Sequence, residues 1–155
     1  MKDFVNVGLL GAGTVGGGVL KVLEKNAEKI AKEVGKPVRI TKVLDRHVDR
    51  LKQEYGDKYI FTDNADEVLE DKDIDIIVEL LGREHPAKEF IARAFANGKH
   101  VVTANKDVLA KFGSELFPLA HEHNCDFMFE ASVCGGIPII GPMKTSMAAN
   151  QITSI

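Results

Sequence analysis

Apolar positions recur along this chain in two alternating rhythms. Phe4–Leu10 is a short apolar run that stops at glycines, the pattern of a buried strand. From Val15 the spacing changes. Val15, Val19, Val22, Leu23, Ala27, Ile30 and Val34 recur at three- and four-residue steps with Lys and Glu between them, which predicts one amphipathic helix ended by Gly35 and Pro37. Val38–Leu44 predicts a second strand and Tyr59–Phe61 a short third one. Asn64 followed by Glu67 has the form of a capping box before a brief helix. Ile74–Leu81 is rich in β-branched residues and suits the middle of a parallel sheet. Pro86 as a first helical residue and Gly98 after a last turn bracket a helix with Phe90, Ile91, Ala94 and Phe95 on one face. A strand at His100–Thr103 follows, then helical pieces at Asp107–Lys111 and Ser114–His123, and a strand at Asp126–Ala131. The last stretch, from Met143, is helix-like and runs into strand-forming residues at Ile152–Ile155. This alternation predicts an α/β protein, a parallel sheet with helices on both faces.

The chain has 155 residues, which fits one domain and leaves little room for a second. Twenty basic residues against twenty-three acidic ones give a net charge of -3, so bulk charge offers no case for nucleic acid or an anionic membrane. The longest uncharged stretch, Phe4–Leu20, falls short of the roughly 20 apolar residues of a membrane helix and is too glycine-rich to span a bilayer. Cys125 and Cys134 lack metal or redox spacing and read as reduced thiols of a cytoplasmic protein. The five histidines show no metal-binding spacing.

Chemistry concentrates first at Gly11-Ala12-Gly13-Thr14-Val15-Gly16, a GxGxxG motif between the first strand and the first helix. Gly11 permits a tight turn, Gly13 lets a pyrophosphate approach the backbone, and Gly16 lets helix and strand pack closely. The helix N-terminus then offers N–H groups to phosphate. The motif in this setting predicts a Rossmann-type, doubly wound, dinucleotide-binding domain. Gly17 and Gly18 extend the glycine run and predict a close approach by another backbone. The second strand ends in Leu44-Asp45-Arg46. An acid there suits the ribose hydroxyls of NAD, whereas an arginine suits the 2′-phosphate of NADP. Both stand side by side, so the choice between NAD and NADP stays open.

Four further segments accompany the glycine loop. They are Val78-Glu79-Leu80-Leu81-Gly82, Val102-Thr103-Ala104-Asn105-Lys106, Phe129-Glu130-Ala131-Ser132 and Gly135-Gly136-Ile137-Pro138-Ile139-Ile140. Together they closely resemble the N-terminal, NAD(P)-binding half of homoserine dehydrogenase, across essentially the whole chain. The resemblance implies an oxidoreductase that interconverts L-aspartate 4-semialdehyde and L-homoserine in threonine and methionine synthesis, and a full-length enzyme that is a homodimer. It implies that residues 1–145 form the nucleotide domain and that 146–155 begin a substrate and dimerisation domain, so that the chain alone is inactive. Ala12, Thr14 and Val15 would line the pyrophosphate, with Gly82 and Thr103 along the cofactor. Arg46 matches the position that meets the 2′-phosphate, while Asp45 stands where many members are neutral.

By the resemblance Lys106 is the expected catalytic residue, where the residues alone would read as a surface lysine capping a loop. It follows the strand His100–Thr103 at its carboxyl end, where open α/β sheets bind ligands. An ammonium there would stabilise alkoxide character during hydride transfer. The resemblance also implies a monovalent cation, usually sodium, at Glu130 and the carbonyls of Val133, Gly135 and Ile137; a capping or salt-bridged Glu130 is the other reading. A non-catalytic NAD(H) sensor, or another amino-acid or semialdehyde dehydrogenase, remains the alternative. A sensor would have no need of the Thr-Ala-Asn-Lys segment.

Overall fold

The sheet has six strands in the order β3-β2-β1-β4-β5-β6, all parallel. These are β1 (Val5–Leu10), β2 (Val38–Leu44), β3 (Ile60–Thr62), β4 (Ile76–Glu79), β5 (His100–Thr103) and β6 (Phe127–Met128). The computed structural model describes residues 2–147, 149 and 151. Every crossover between neighbouring parallel strands carries helix, as parallel pairing requires. The helices are α1 (Thr14–Lys25), α2 (Ala27–Val34), α3 (Val48–Tyr55), α4 (Asp66–Leu69), α5 (Ala87–Ala96) and α6 (Lys106–Glu122). A 3₁₀ turn (Glu130–Ser132) and a short helix, α7 (Ile140–Lys144), follow β6.

Alternation along β1 divides the core. Val7 and Leu9 face one layer with Leu20, Ile40, Val43, Leu51 and Phe61. Leu10 faces the other, with Ile77, Ile91, Phe95, Val101, Val108 and Leu116. Successive side chains of a strand point to opposite faces, so one apolar run feeds both layers. The register brings four strand ends level: Leu10 pairs with Leu44 on one side and Glu79 on the other, and Glu79 pairs with Thr103. The strand order reverses between β1 and β4, the switch point at which such sheets bind ligands.

Several elements differ from the sequence reading. The first long helix breaks at Asn26, whose φ and ψ of -113° and 18° leave the helical range while its side-chain amide bonds the Val22 carbonyl at 3.0 Å. Helix α3 has no counterpart in that reading, because only Val48, Leu51 and Tyr55 mark its inner face among charged neighbours. The two pieces after β5 are one helix of 17 residues that runs through Pro118. The proline forfeits one intrahelical bond, and the stripe of Val108, Leu116 and Ala120 holds the helix on the sheet.

Asn64 forms no capping box. Its Oδ1 accepts the N–H of Asp66, two residues on, at 3.0 Å. Strand β4 is shorter than expected, and β6 ends at Met128, so Glu130 and Ala131 lie in the 3₁₀ turn. Pro86 precedes α5 as its N-cap. The expected crowding at Gly17 and Gly18 is absent within the described residues: a side chain at Gly18 would meet open space. The final helix ends at Lys144; Ala148, Asn150 and the strand expected at Ile152–Ile155 lie outside the described residues.

The amino-terminal edge of the sheet is tied by charge. Asp75 accepts Lys2 Nζ at 2.7 Å and the Asn6 N–H at 2.9 Å. Burial opposes its ionisation, yet these bonds hold its carboxyl below the usual range. Asp71 is also held low, chiefly by the Lys42 ammonium at 2.8 Å. A carboxyl whose folded pKa is depressed contributes stability above its unfolded pKa of about 3.9 and loses it as pH falls through the folded value. The urea unfolding midpoint therefore drops on acidification below about pH 4. Asp75→Asn shrinks that drop, and an unchanged acid limb in this variant would remove Asp75 from the account.

Candidate functional site

The site grows from the row of strand ends. At the end of β1, Gly11 turns with φ of 94°, and a Cβ there would lie 2.8 Å from the Leu80 carbonyl oxygen. At Gly16 a Cβ would fall 2.0 Å from the Gly11 carbonyl oxygen. Both positions need glycine, one for its backbone conformation and both for contact. Gly13 is different: it is exposed, and a Cβ there would meet nothing within 4 Å. That open space is the gap in which a phosphate group can approach the backbone. Gly13 is also the N-cap of α1, and it supplies no side-chain cap. The N–H groups of the first turn are thus left for a ligand.

Asp45 holds this loop from the next strand. Its Oδ2 accepts the Ala12 N–H at 2.9 Å, and its Oδ1 accepts the His47 N–H at 2.9 Å with the His47 ring nitrogen at 3.2 Å. The side chain is only 13% exposed. Burial opposes its charge, but the bonds from His47 and Ala12 outweigh it and hold the carboxyl below the usual range. Asp45 is thus a clamp on the glycine loop.

Beyond it opens a cavity of about 460 Å³ lined by Gly11, Gly13, Asp45, Arg46, His47 and Arg50. Among the described residues neither Arg46 nor Arg50 is in an ion pair. An adjoining cavity of about 350 Å³ lies between Leu44, Ala65, Leu81 and Phe90, with Arg46 and Arg83 at its wall. A third, of about 100 Å³, is lined by Val15, Leu80, Gly82, Ala104 and Asn105. The three lie along the row of strand ends, from β2 across β1 to β5.

The predicted residues are therefore distributed unevenly. Gly11, Ala12, Gly13, Thr14, Val15, Gly16, Arg46 and Gly82 gather at the switch point. Lys106 is exposed at the first residue of α6, beside Asn105 of the small cavity. Thr103 ends β5 with its side chain turned inward: it is 1% exposed, and its hydroxyl donates to Glu79 at 2.6 Å, which leaves its backbone to face the cleft. Arg50 and His47 were not anticipated. The signal for Arg50 was its four-residue spacing from Arg46, which has meaning only if a helix starts between them.

Glu130 bonds the backbone that opens α7. Its Oε1 accepts the N–H groups of Ile139 and Ile140, and Oε2 accepts that of Gly141 at 2.8 Å. The Gly141 N–H is the foremost cause that its carboxyl lies below the usual range. Among the described residues no cluster of three or more His, Cys, Asp or Glu could hold a metal ion, and no helix is long and apolar enough to cross a membrane.

Comparison with known proteins agrees with this geometry. The family model described as the NAD-binding domain of homoserine dehydrogenase matches residues 11–130. The homoserine dehydrogenase of Neisseria gonorrhoeae is 46% identical over 151 residues, 97% of this chain and 34% of that protein. That of Bacillus subtilis is 40% identical, over 97% of this chain and 35% of its own length. The crystal structure of a homoserine dehydrogenase from Thiobacillus denitrificans superposes with a TM-score of 0.91 at 46% identity, covering 96% of this chain and 34% of that one. A hyperthermophilic archaeal homoserine dehydrogenase in complex with NADPH gives a TM-score of 0.75 at 26% identity, covering 90% of this chain and 48% of its own. The chain spans about a third of the length of the curated relatives it matches. With the family model covering most of its length and the glycine loop, strand order and cleft all in place, the chain belongs to the homoserine dehydrogenase family, whose NAD-binding domain it carries.

Proposed function

We propose that the chain binds NADP(H) for an oxidoreductase that interconverts L-aspartate 4-semialdehyde and L-homoserine, a step toward threonine and methionine. The observation that carries the cofactor half is the open, uncapped N-terminus of α1 at the switch point, facing a cavity with Arg46, His47 and Arg50. The substrate half rests on the family. The residues present fit a dinucleotide: the space in front of Gly13 admits a phosphate, and the adjoining cavity offers apolar walls at Leu44, Ala65 and Leu81 to a base. When bound, the nicotinamide supplies or takes up the hydride.

The protein's own residues would orient and stabilise. The first-turn N–H groups of α1, at Thr14 and Val15, would hold the pyrophosphate. Lys106 would present an ammonium to the substrate oxygen, where charge develops during reduction, and would help pass a proton to it. For a monovalent cation the later segment offers Glu130 and the carbonyls of Val133, Gly135 and Ile137. With the Glu130 carboxylate bonded to three N–H groups, the carbonyls would supply most of that coordination. Two free cysteines suit a reducing, cytoplasmic setting.

Preference for NADPH follows from how Asp45 is used. A carboxylate that takes the Ala12 and His47 N–H groups, faces the His47 ring nitrogen and is only 13% exposed keeps about one of its roughly four acceptor sites for ribose hydroxyls. Arg46 and Arg50 carry fixed positive charge beside it, suited to a 2′-phosphate. Calorimetric titration of the chain is expected to give NADPH an affinity at least ~10-fold above that of NADH, and Arg46→Ala brings the two close together. Equal affinities in the unaltered chain overturn the phosphate assignment. Binding of neither overturns the dinucleotide reading.

A further inference from the structure

Glu79, the last residue of β4, is fully buried and has no cationic partner among the described residues. Three donors converge on it instead. Oε1 accepts the Leu81 N–H at 2.7 Å and, more distantly, the Asn105 side-chain amide at 3.4 Å; Oε2 accepts the Thr103 hydroxyl at 2.6 Å. The network continues outward. The Thr103 hydroxyl accepts the Asn105 N–H at 3.0 Å, the Asn105 amide also donates to the Arg83 carbonyl at 2.8 Å, and the Asn105 Oδ1 accepts the Val108 N–H at 3.2 Å.

The Leu81 N–H and the Asn105 amide can only donate, both to Oε1, and the Thr103 hydroxyl, whose oxygen already takes the Asn105 N–H, meets Oε2, so the position suits a side chain that offers two oxygens. A buried charge is costly to strand and rarely worth more than a well-packed apolar side chain for stability alone. Nor do the strands need it, since β4 and β5 already pair through their backbones. What the carboxylate joins lies beyond the strands. One side is the Leu81–Arg83 loop, which contributes Gly82 to the small cavity; the other is the first turn of α6, which begins with Lys106.

We propose that Glu79 is a positioning residue: its carboxylate locks the loop after β4 to the start of α6 and so fixes Lys106 relative to the cofactor cleft. This role rests on the dehydrogenase reading above. It gives Glu79 a function through Asn105 and Thr103, without contact with substrate.

The test is Glu79→Gln in the natural protein, followed by turnover, NADPH titration and amide hydrogen exchange. The amide keeps the size of the side chain but sets a donor against one of the converging donors. The expected result is a kcat lowered about 10- to 100-fold, the scale of a small misplacement of a catalytic group. The NADPH dissociation constant stays within about threefold, and exchange quickens at Leu81 and Val108 but not in β1 or β2. Asn105→Ser provides the second variant: serine retains an N-cap oxygen but loses the amide donors to Glu79 and Arg83, and kcat falls likewise. If kcat is unchanged in both, the proposal is overturned. If kcat and cofactor affinity collapse together with protection lost across β1, Glu79 is merely structural and the proposal is also overturned. An unaltered protein that neither binds NADPH nor turns over overturns the dehydrogenase reading, and the Glu79 role with it.

Discussion

Replacing Lys106 by alanine is expected to lower kcat of the natural protein about 10²- to 10³-fold, the usual cost of removing one group that stabilises charge on a reacting oxygen. Cofactor affinity changes less than about twofold. The asymmetry follows from placement. Lys106 is exposed at the first residue of α6, after β5, whereas the phosphate-binding turn lies two strands away, after β1. Its side chain makes no ion pair among the described residues, so truncation leaves no partner stranded. Asn105 caps the helix independently of it. Steady-state kinetics paired with NADPH titration read both quantities. Unchanged kcat would exclude Lys106 from the chemistry, and lost cofactor affinity would make it a binding residue instead.

Gly16→Ala has the opposite signature. The added methyl would sit 2.0 Å from the Gly11 carbonyl oxygen, a backbone atom that cannot move without unwinding the turn. The same turn is fixed by the Gly11 N–H on the Leu44 carbonyl at 2.8 Å and by Ala12 on Asp45. Relief by shifting α1 would open its packing at Leu20, which is fully buried. The expected destabilisation is about 3 kcal/mol, the upper end of the cost of overpacking. NADPH affinity falls at least ~100-fold, because the N–H groups that face the phosphates move with the turn. Urea unfolding and calorimetry report the two effects. Near-native stability and binding would show that the loop is softer than its contacts imply.

Those two residues also illustrate what is readable from a chain of letters. Gly16 was legible because its demand is local: the strand, the turn and the helix it joins are consecutive. The place of Lys106 was legible because β5 fell where its apolar run predicted, while the role proposed for it comes from the likeness of Thr103–Lys106 to a family segment. Arg50 was not, since its place in the cleft depends on α3, a helix marked by three apolar residues amid charge. The orientation of Thr103 was hidden for a related reason. Its hydroxyl turns toward a carboxylate 24 residues away, a partner set by strand order and invisible to spacing. Asn26 shows the limit in helices: periodicity continued through it, while one side-chain amide bonding to Val22 sufficed to end α1.

The level row of strand ends has a consequence for how such a cleft can be remodelled. With Leu44, Leu10, Glu79 and Thr103 side by side, each crossover leaves the sheet at the same height. A lengthened loop would then grow outward without tilting its neighbours. Two anchor points restrict that freedom: Asp45 pins the turn after β1, and Glu79 pins the turns after β4 and β5 together. The stretch at Glu84 and His85 directly follows the Arg83 carbonyl that Asn105 holds, and it is itself tied to α6 by the Glu84–Lys111 ion pair at 2.6 Å and by His85 against Phe112. Insertions there would reshape the outer rim only by giving up those contacts, so a new specificity at this rim has to be built together with the facing side of α6.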